Sequence, residues 1–226
     1  GLTDVACCFD STTNHRKKLT ETWEHQYKGN RGQKDHELAG MIMVARPVLE
    51  SRNFCCVSIE DMEADDVMAS YAKQFEGRVT LLTQDKDMRQ CLSATCNILL
   101  DVTWQEHTET NAFIPSYKWV SAKSHTEETG LRPDQWVCKQ LLFGDAVDNI
   151  KGAGSIGDVG ATKLVVEFGS AKAAMDAAKR HDSRLLAMKR GKIMLAGLLD
   201  LEERFDMTRQ LVELRVDLNV PQTTRI

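Results

Sequence analysis

Along the first half of the chain, short apolar runs ending on acidic residues alternate with stretches whose apolar positions recur every three or four residues. Val5-Ala6-Cys7-Cys8-Phe9 is continuously apolar and stops at Asp10, the pattern of a strand buried on both faces. Phe54 to Ile59 and Arg78 to Thr83 repeat it; the first leads into Glu63, Asp65 and Asp66, the second into Asp85 and Asp87. Asn97 to Asp101 predicts a further strand, and 102–114 a hairpin. Leu38, Met41, Ile42, Ala45, Val48 and Leu49 predict a helix over 37–51. Val67, Met68, Tyr71, Ala72 and Phe75 predict another over 63–75, whose acidic first turn suits the positive end of the helix dipole. Alternating strands and helices predict an α/β fold with a mostly parallel sheet and flanking helices. Beyond about residue 133 only helical spacing remains, with helices over 133–143, 159–168, 171–180 and 185–204. The expected division is an α/β core at 1–132, with a basic region at 11–36, and a helical subdomain at 133–226.

Ligands of a parallel sheet gather at the carboxyl ends of its strands. Asp10 and the Asp85/Asp87 pair fall just past such ends, and Glu63, Asp65 and Asp66 open the helix behind another. Asp145 and Asp148 are one helical turn apart and can point the same way. Any one of these carboxylates taken alone reads better as a cap or a turn residue. Four clusters on one rim do not, because their mutual repulsion calls for hard cations with oxygen ligands, Mg²⁺ or Mn²⁺. Two such ions clamp the attacking and leaving oxygens of a phosphodiester.

Behind Asp145 and Asp148, Gly152-Ala153-Gly154-Ser155-Ile156-Gly157 leads into Ala161, Lys163 and Leu164. A glycine-rich turn opening a helix brings backbone N–H groups close to a phosphate. Gly152, Gly154, Gly157 and Lys163 are thus expected to hold a DNA backbone without reading its sequence, in a helix–hairpin–helix over 150–168. In the basic region, Arg16 and Lys17 are expected DNA contacts. The net charge of −4 first argues against such a partner, but with the eight carboxylates set aside, 29 basic residues face 25 acidic ones, a balance of +4. No apolar run approaches the ~20 residues of a membrane span. The seven cysteines form no C-x-x-C pair and read as small buried hydrophobes of a cytoplasmic protein. With aromatics at 6%, the core must be aliphatic and alanine-rich.

Taken in order, Phe9-Asp10-Ser11, Tyr27-Lys28-Gly29-Asn30-Arg31, Glu63-Ala64-Asp65-Asp66, Thr83-Gln84-Asp85-Lys86-Asp87 and Gly144-Asp145 through Asp148-Asn149-Ile150 resemble the 5′-nuclease family. That family includes the 5′-3′ exonuclease domain of bacterial DNA polymerase I, phage 5′-exonucleases and flap endonucleases. The resemblance implies a PIN-like or resolvase-like core. It also implies a two-metal-dependent hydrolase acting on DNA with 5′ ends or flaps in replication or repair. Asp10, Glu63, Asp65 and Asp66 would serve the first metal, and Asp85, Asp87, Asp145 and Asp148 the second. Lys28 and Arg31 would be catalytic, neutralising the scissile phosphate from a helical arch. A potassium ion at the glycine-rich turn and a polymerase, fused or separate, are further implications.

The chain departs from the family at Lys151, where proline is usual, and in the polar stretch of about 102–130, which reads as an insertion. Family members also begin with a central strand carrying another metal-binding aspartate. Nothing before Asp10 supplies it, so the chain is expected to be a fragment, unstable and nearly inactive alone. Two other functions remain open on the residues: a PIN-type nuclease acting on RNA, and a non-catalytic DNA-binding module.

Overall fold

The computed structural model describes residues 4–32, 36–107 and 112–225. They form two compact units, one built from residues 1–71, 145–150 and 214–226, the other from 72–144 and 151–213.

In the first unit, strand β1 (Asp4–Cys8) lies between β2 (Cys55–Val57) and β8 (Thr224–Arg225). The β1–β2 ladder is parallel, pairing Ala6 with Cys55 and Cys8 with Val57, while β8 runs antiparallel, setting Asp4 against Arg225. Helix α3 (Ala64–Gln74) supplies Val67 and Tyr71 to a core that also takes Val57, Leu218, Ala6 and Cys8. The chain from 214 onward is fastened along α3. Asp66 accepts the Arg215 amide, Ser70 Oγ donates to the Arg215 carbonyl, and Tyr71 donates to the Pro221 carbonyl at 2.7 Å. The basic region contributes a five-residue helix α1 (His15–Leu19) capped by Asn14, and α2 (His36–Ser51) follows. The helix expected over 37–51 is therefore present, but its Met41, Ile42 and Val48 are exposed. Lys34 of the basic stretch lies outside the described residues.

In the second unit, β3 (Val79–Leu82) pairs in parallel with β4 (Cys96–His107), which pairs antiparallel with β5 (Ala112–Val120). The strand expected at 97–101 and the hairpin expected at 102–114 are one continuous ribbon, its tip lying outside the described residues. The polar stretch taken for an insertion is that ribbon plus helix α4 (Ala122–Thr129), opened by a Ser121–Ser124 capping box. Helix α5 (Pro133–Phe143) starts on proline, whose missing N–H is no loss there. It runs into two-residue strands β6 (Gly144–Asp145) and β7 (Ile150–Lys151), which pair with each other.

Helices α6 (Asp158–Phe168), α7 (Ala171–Lys179), α8 (Ser183–Ala187), α9 (Gly191–Glu202) and α10 (Phe205–Val212) complete the unit. The helix expected over 185–204 is split into α8 and α9. Arg190 takes a left-handed φ of 68°, and a Cβ on Gly191 would lie 2.1 Å from the Leu185 carbonyl oxygen, so the chain turns sharply there. Leu142, Leu164, Val165, Ala174, Ala177, Leu185 and Leu198 are fully buried, giving the aliphatic, alanine-rich core that the composition predicted. The α/β class with a helical C-terminal part thus stands, although each three-stranded sheet is mixed. Among the described residues no helix is long and apolar enough to cross a membrane. All seven cysteines are free thiols, but only Cys96 is fully buried. The others are half-buried along strands and helices rather than deep in the core.

Candidate active site

Past the end of β1, the Phe9 amide extends the ladder to Val57, and Asp10 then reaches across to accept the Ala64 amide at 2.9 Å. A strand-end carboxylate here caps the first turn of α3 from a distance. Behind it, Glu63 and Asp66 are buried, and Asp65 is half-buried in the first turn of α3.

Arg16 is 1% exposed and lies against both buried acids. Its guanidinium grips Asp66 in a two-pronged contact at 2.6 and 2.7 Å and donates to Glu63 Oε2 at 3.0 Å. This corrects the expectation that Arg16 contacts DNA: its charge is spent inside the protein. Asp66 is corrected with it. Two bonds from Arg16 and one each from the Glu63 and Arg215 amides use about all four of its lone-pair positions, leaving none for a metal. Lys17, next in sequence, is exposed as a DNA contact requires.

The segment Tyr27-Lys28-Gly29-Asn30-Arg31 docks on residues 145–150 of the same unit. The Lys28 amide donates to the Asp148 carbonyl at 2.9 Å, Asn30 to the Ala146 carbonyl at 2.7 Å, and Asn149 to the Gln26 carbonyl at 2.9 Å. Lys28 itself takes a left-handed φ of 55°, a costly conformation for a long side chain and one that clusters at functional sites. Its ammonium bonds Glu63 Oε1 and lies 3.9 Å from Asp148 Oδ2, while Arg31 bonds Asp148 Oδ1. The buried Tyr27 hydroxyl lies 2.9 Å from Glu63 and 3.1 Å from Asp148. Sequence reasoning gave Tyr27 no role, and its place in the quoted motif was the only signal.

Burial alone would raise the Glu63 pKa, but Lys28, Arg16 and Tyr27 together hold it below the ordinary carboxylate value. Asp66 behaves likewise through Arg16 and the Arg215 amide. Burial, then the two carboxylates, push the Tyr27 hydroxyl far up, so it remains a proton donor. Asp145 is buried and accepts the Val147 amide at 2.9 Å, which bends the chain toward Asp148. The donors are all carboxylate oxygens, and Glu63 and Asp148 already converge on one positive charge, the Lys28 ammonium. By donor type and convergence they fit a hard cation. Among the described residues no group of three or more His, Cys, Asp or Glu side chains lies close enough together to hold a metal ion as it stands, so the carboxylates would have to draw in around one.

Asp85 and Asp87 belong to the second unit. Asp85 caps a 3₁₀ helix over Lys86–Cys91 by accepting the Asp87 amide at 2.8 Å, and the Asp87 carboxylate accepts from Gln140 on α5. In the glycine-rich turn, Gly152 is buried, and a Cβ there would lie 2.4 Å from the Phe143 and Gly144 backbone. Its carbonyl also accepts Arg204 Nη2 at 2.5 Å. Gly152 therefore serves backbone packing rather than phosphate contact, a third correction. Gly154, at φ 62°, and Gly157, the N-cap of α6 with open space where a Cβ would be, are exposed, as is Lys163 on α6.

The description "5′-3′ exonuclease, N-terminal resolvase-like domain" matches residues 2–121, and "5′-3′ exonuclease, C-terminal SAM fold" matches residues 131–225. The chain belongs to the 5′-3′ exonuclease family, whose members are nucleases that hydrolyse phosphodiester bonds. Thermostable DNA polymerase I of Thermus aquaticus is 31% identical over 196 residues, covering 85% of this chain and 21% of that protein. The 5′-3′ exonuclease of Bacillus subtilis is 28% identical over 226 residues, covering 99% of this chain and 69% of that protein. The chain thus spans about a fifth of the length of the polymerase I relatives. The T5 D15 protein co-crystallised with metal ions superposes with a TM-score of 0.63 at 20% identity, over 91% of this chain and 72% of that one. The catalytic core of Rad2 in complex with DNA substrate superposes at 0.57 and 17%, over 96% and 67%. These two likenesses are of fold.

Proposed function

We propose that this chain carries a divalent-metal-dependent 5′-nuclease centre that hydrolyses phosphodiester bonds of DNA with 5′ ends or flaps, in replication or repair. The observation that carries the reading is the convergence of Glu63 and Asp148 on the Tyr27 hydroxyl and the Lys28 ammonium. Asp10, Asp65 and Asp145 of the same unit would join them in holding Mg²⁺ or Mn²⁺. Asp85 and Asp87, by their family motif, would serve a second ion. Bound ions would stabilise charge on the phosphate and ease deprotonation of water. Lys28 and Arg31 would then leave their carboxylates and meet the scissile phosphate, stabilising its developing charge. Tyr27 would keep Glu63 and Asp148 aligned meanwhile.

Gly154, Gly157, Lys163 and Lys17 would grip phosphates without reading sequence. A potassium ion at the turn would use carbonyls other than that of Gly152, which Arg204 occupies. The polymerase I relatives support a polymerase partner, fused or separate, and such work on DNA would place the protein in the cytoplasm. The test is cleavage of a 5′-flap duplex by the protein in its complete reading frame, with Mg²⁺, Mn²⁺ or EDTA. Cleavage should require metal, and Asp148→Ala should abolish it while DNA affinity stays close to wild type. Metal-independent cleavage, or an Asp148→Ala variant with normal turnover, would overturn the reading.

A further inference from the structure

On α5, Gln140 is buried among Trp136, Leu141 and Leu142, with Gln135 the other buried amide of the helix. Gln140 is 8% exposed and one turn beyond Trp136, which is itself buried. A buried amide is retained where it has a partner that needs it. That partner is Asp87, whose Oδ1 accepts Gln140 Nε2. The backbone of Asp87 is held separately, through its amide on the Asp85 carboxylate, and Thr83 Oγ1 accepts the Asp85 amide at 3.1 Å. The acidic turn is thus fixed at its main chain by its own side chains and at the Asp87 carboxylate by a neighbouring helix.

We propose that Gln140 is a positioning residue that aims the Asp87 carboxylate at a divalent cation. The inference rests on the nuclease reading, in which Asp87 is a metal ligand. The residue type suits the task. A lysine or arginine at 140 would orient Asp87 but cancel the charge a cation needs, as Arg16 does to Asp66. A glutamate could not donate, and an asparagine is one methylene shorter. A neutral donor of this length fixes the carboxylate without adding a positive charge of its own. Outer partners of metal ligands act in this way, and their loss typically weakens metal affinity by about 10- to 100-fold.

Mn²⁺ binding to the whole chain, measured by calorimetry, tests the proposal for wild type, Gln140→Met, Asp87→Asn and the double variant, with thermal melts to check folding. Gln140→Met should weaken Mn²⁺ binding about 10-fold, yet add little once Asp87→Asn is present, because the two act as one unit. If Gln140→Met fails to fold, Gln140→Asn, which keeps the amide but loses the reach, should show the same pattern. A Gln140→Met or Gln140→Asn variant that binds Mn²⁺ like wild type, while Asp87→Asn binds weakly, overturns the proposal alone. Equal losses with and without Asp87 also overturn it, since they mark a packing effect. Normal Mn²⁺ binding by Asp87→Asn overturns the ligand reading and the proposal together.

Discussion

In the first unit Glu63, Asp66 and Asp148 meet full positive charges, whereas in the second Asp85 and Asp87 are held by a backbone amide and a side-chain amide. Cationic partners let three acids lie close together and partly buried without any metal, and keep Glu63 and Asp66 ionised. They do so at the expense of the negative charge that would attract an ion. Gln140 gives direction without adding positive charge of its own. The first cluster is therefore assembled in advance around its own cations, while Asp87 has a neutral amide among its partners. Within the first site the partners differ again: Arg16 is sealed in, but Arg31 is 52% exposed and able to turn elsewhere.

Removing the sealed cation should have the largest effect. Arg16→Met leaves Asp66 charged and buried, and breaking such a pair typically costs about 3–5 kcal/mol. Urea denaturation should show that loss, and a change below about 1 kcal/mol would mean Arg16 is not a structural counter-ion. Next, Lys28→Ala should lower single-turnover cleavage of a 5′-flap duplex by roughly 100-fold or more. Folding should be little changed, because Lys28 is only partly buried; a large drop in melting temperature would merge it with Arg16 and erase the contrast.

A third test uses pH to separate the units. Burial, and then Arg89, push the second unit's His125 down to about 4, with Glu128 and Lys139 also facing it. Its folded pKa lies below the ordinary 6.5, so the unfolded chain binds the extra proton first. That contribution is complete above about pH 6.5 and is lost as pH falls toward 4. Glu63 and Asp66 are also depressed, so their contribution persists to lower pH, fading only as pH drops below the usual carboxylate range. Hydrogen exchange between pH 7 and 5 should therefore weaken the second unit first, and His125→Phe should flatten that trend. Uniform weakening of both units would contradict it. The smallest effect is expected at Lys163→Ala, which should reduce the salt dependence of DNA binding by about one unit of log–log slope without altering sequence preference. An unchanged slope removes Lys163 from the contact surface.

Strand ends, helix starts and the carboxylates placed on them were legible because each is a local pattern. Asp10, Glu63 and Asp65 stand where the alternation of apolar runs put them, and α5 spans Pro133–Phe143 as its spacing predicted. Arg16 was not legible as a buried residue. It sits in a run with Lys17 and Lys18, and only partners 47 and 50 residues away distinguish it from a solvated charge. Gln140 left a fainter signal, one of two amides buried on a largely apolar helix. The break between α8 and α9 hides in an apolar rhythm that continues across it, and depends on a glycine pressed against a carbonyl. Leu214, Val216, Leu218 and Val220 alternate with polar residues as in a strand, yet β8 forms only at Thr224–Arg225, because it is defined by its partner and not by its own pattern.

The return of that last segment to β1 bears on how the molecule comes into being. Thr223 bonds Asp4 across 219 residues, and the Arg215 amide supplies a bond to Asp66. A ribosome releases nearly all of the second unit before it releases these contacts, so that unit can fold while the first still lacks an edge strand. Closing so long a loop is slow more than it is costly, since loop entropy grows only with the logarithm of length. Asp10 and Arg16, made long before residue 214, should thus be among the last to reach their final surroundings. A nascent chain would fold its glycine-rich turn before its acidic centre had matured.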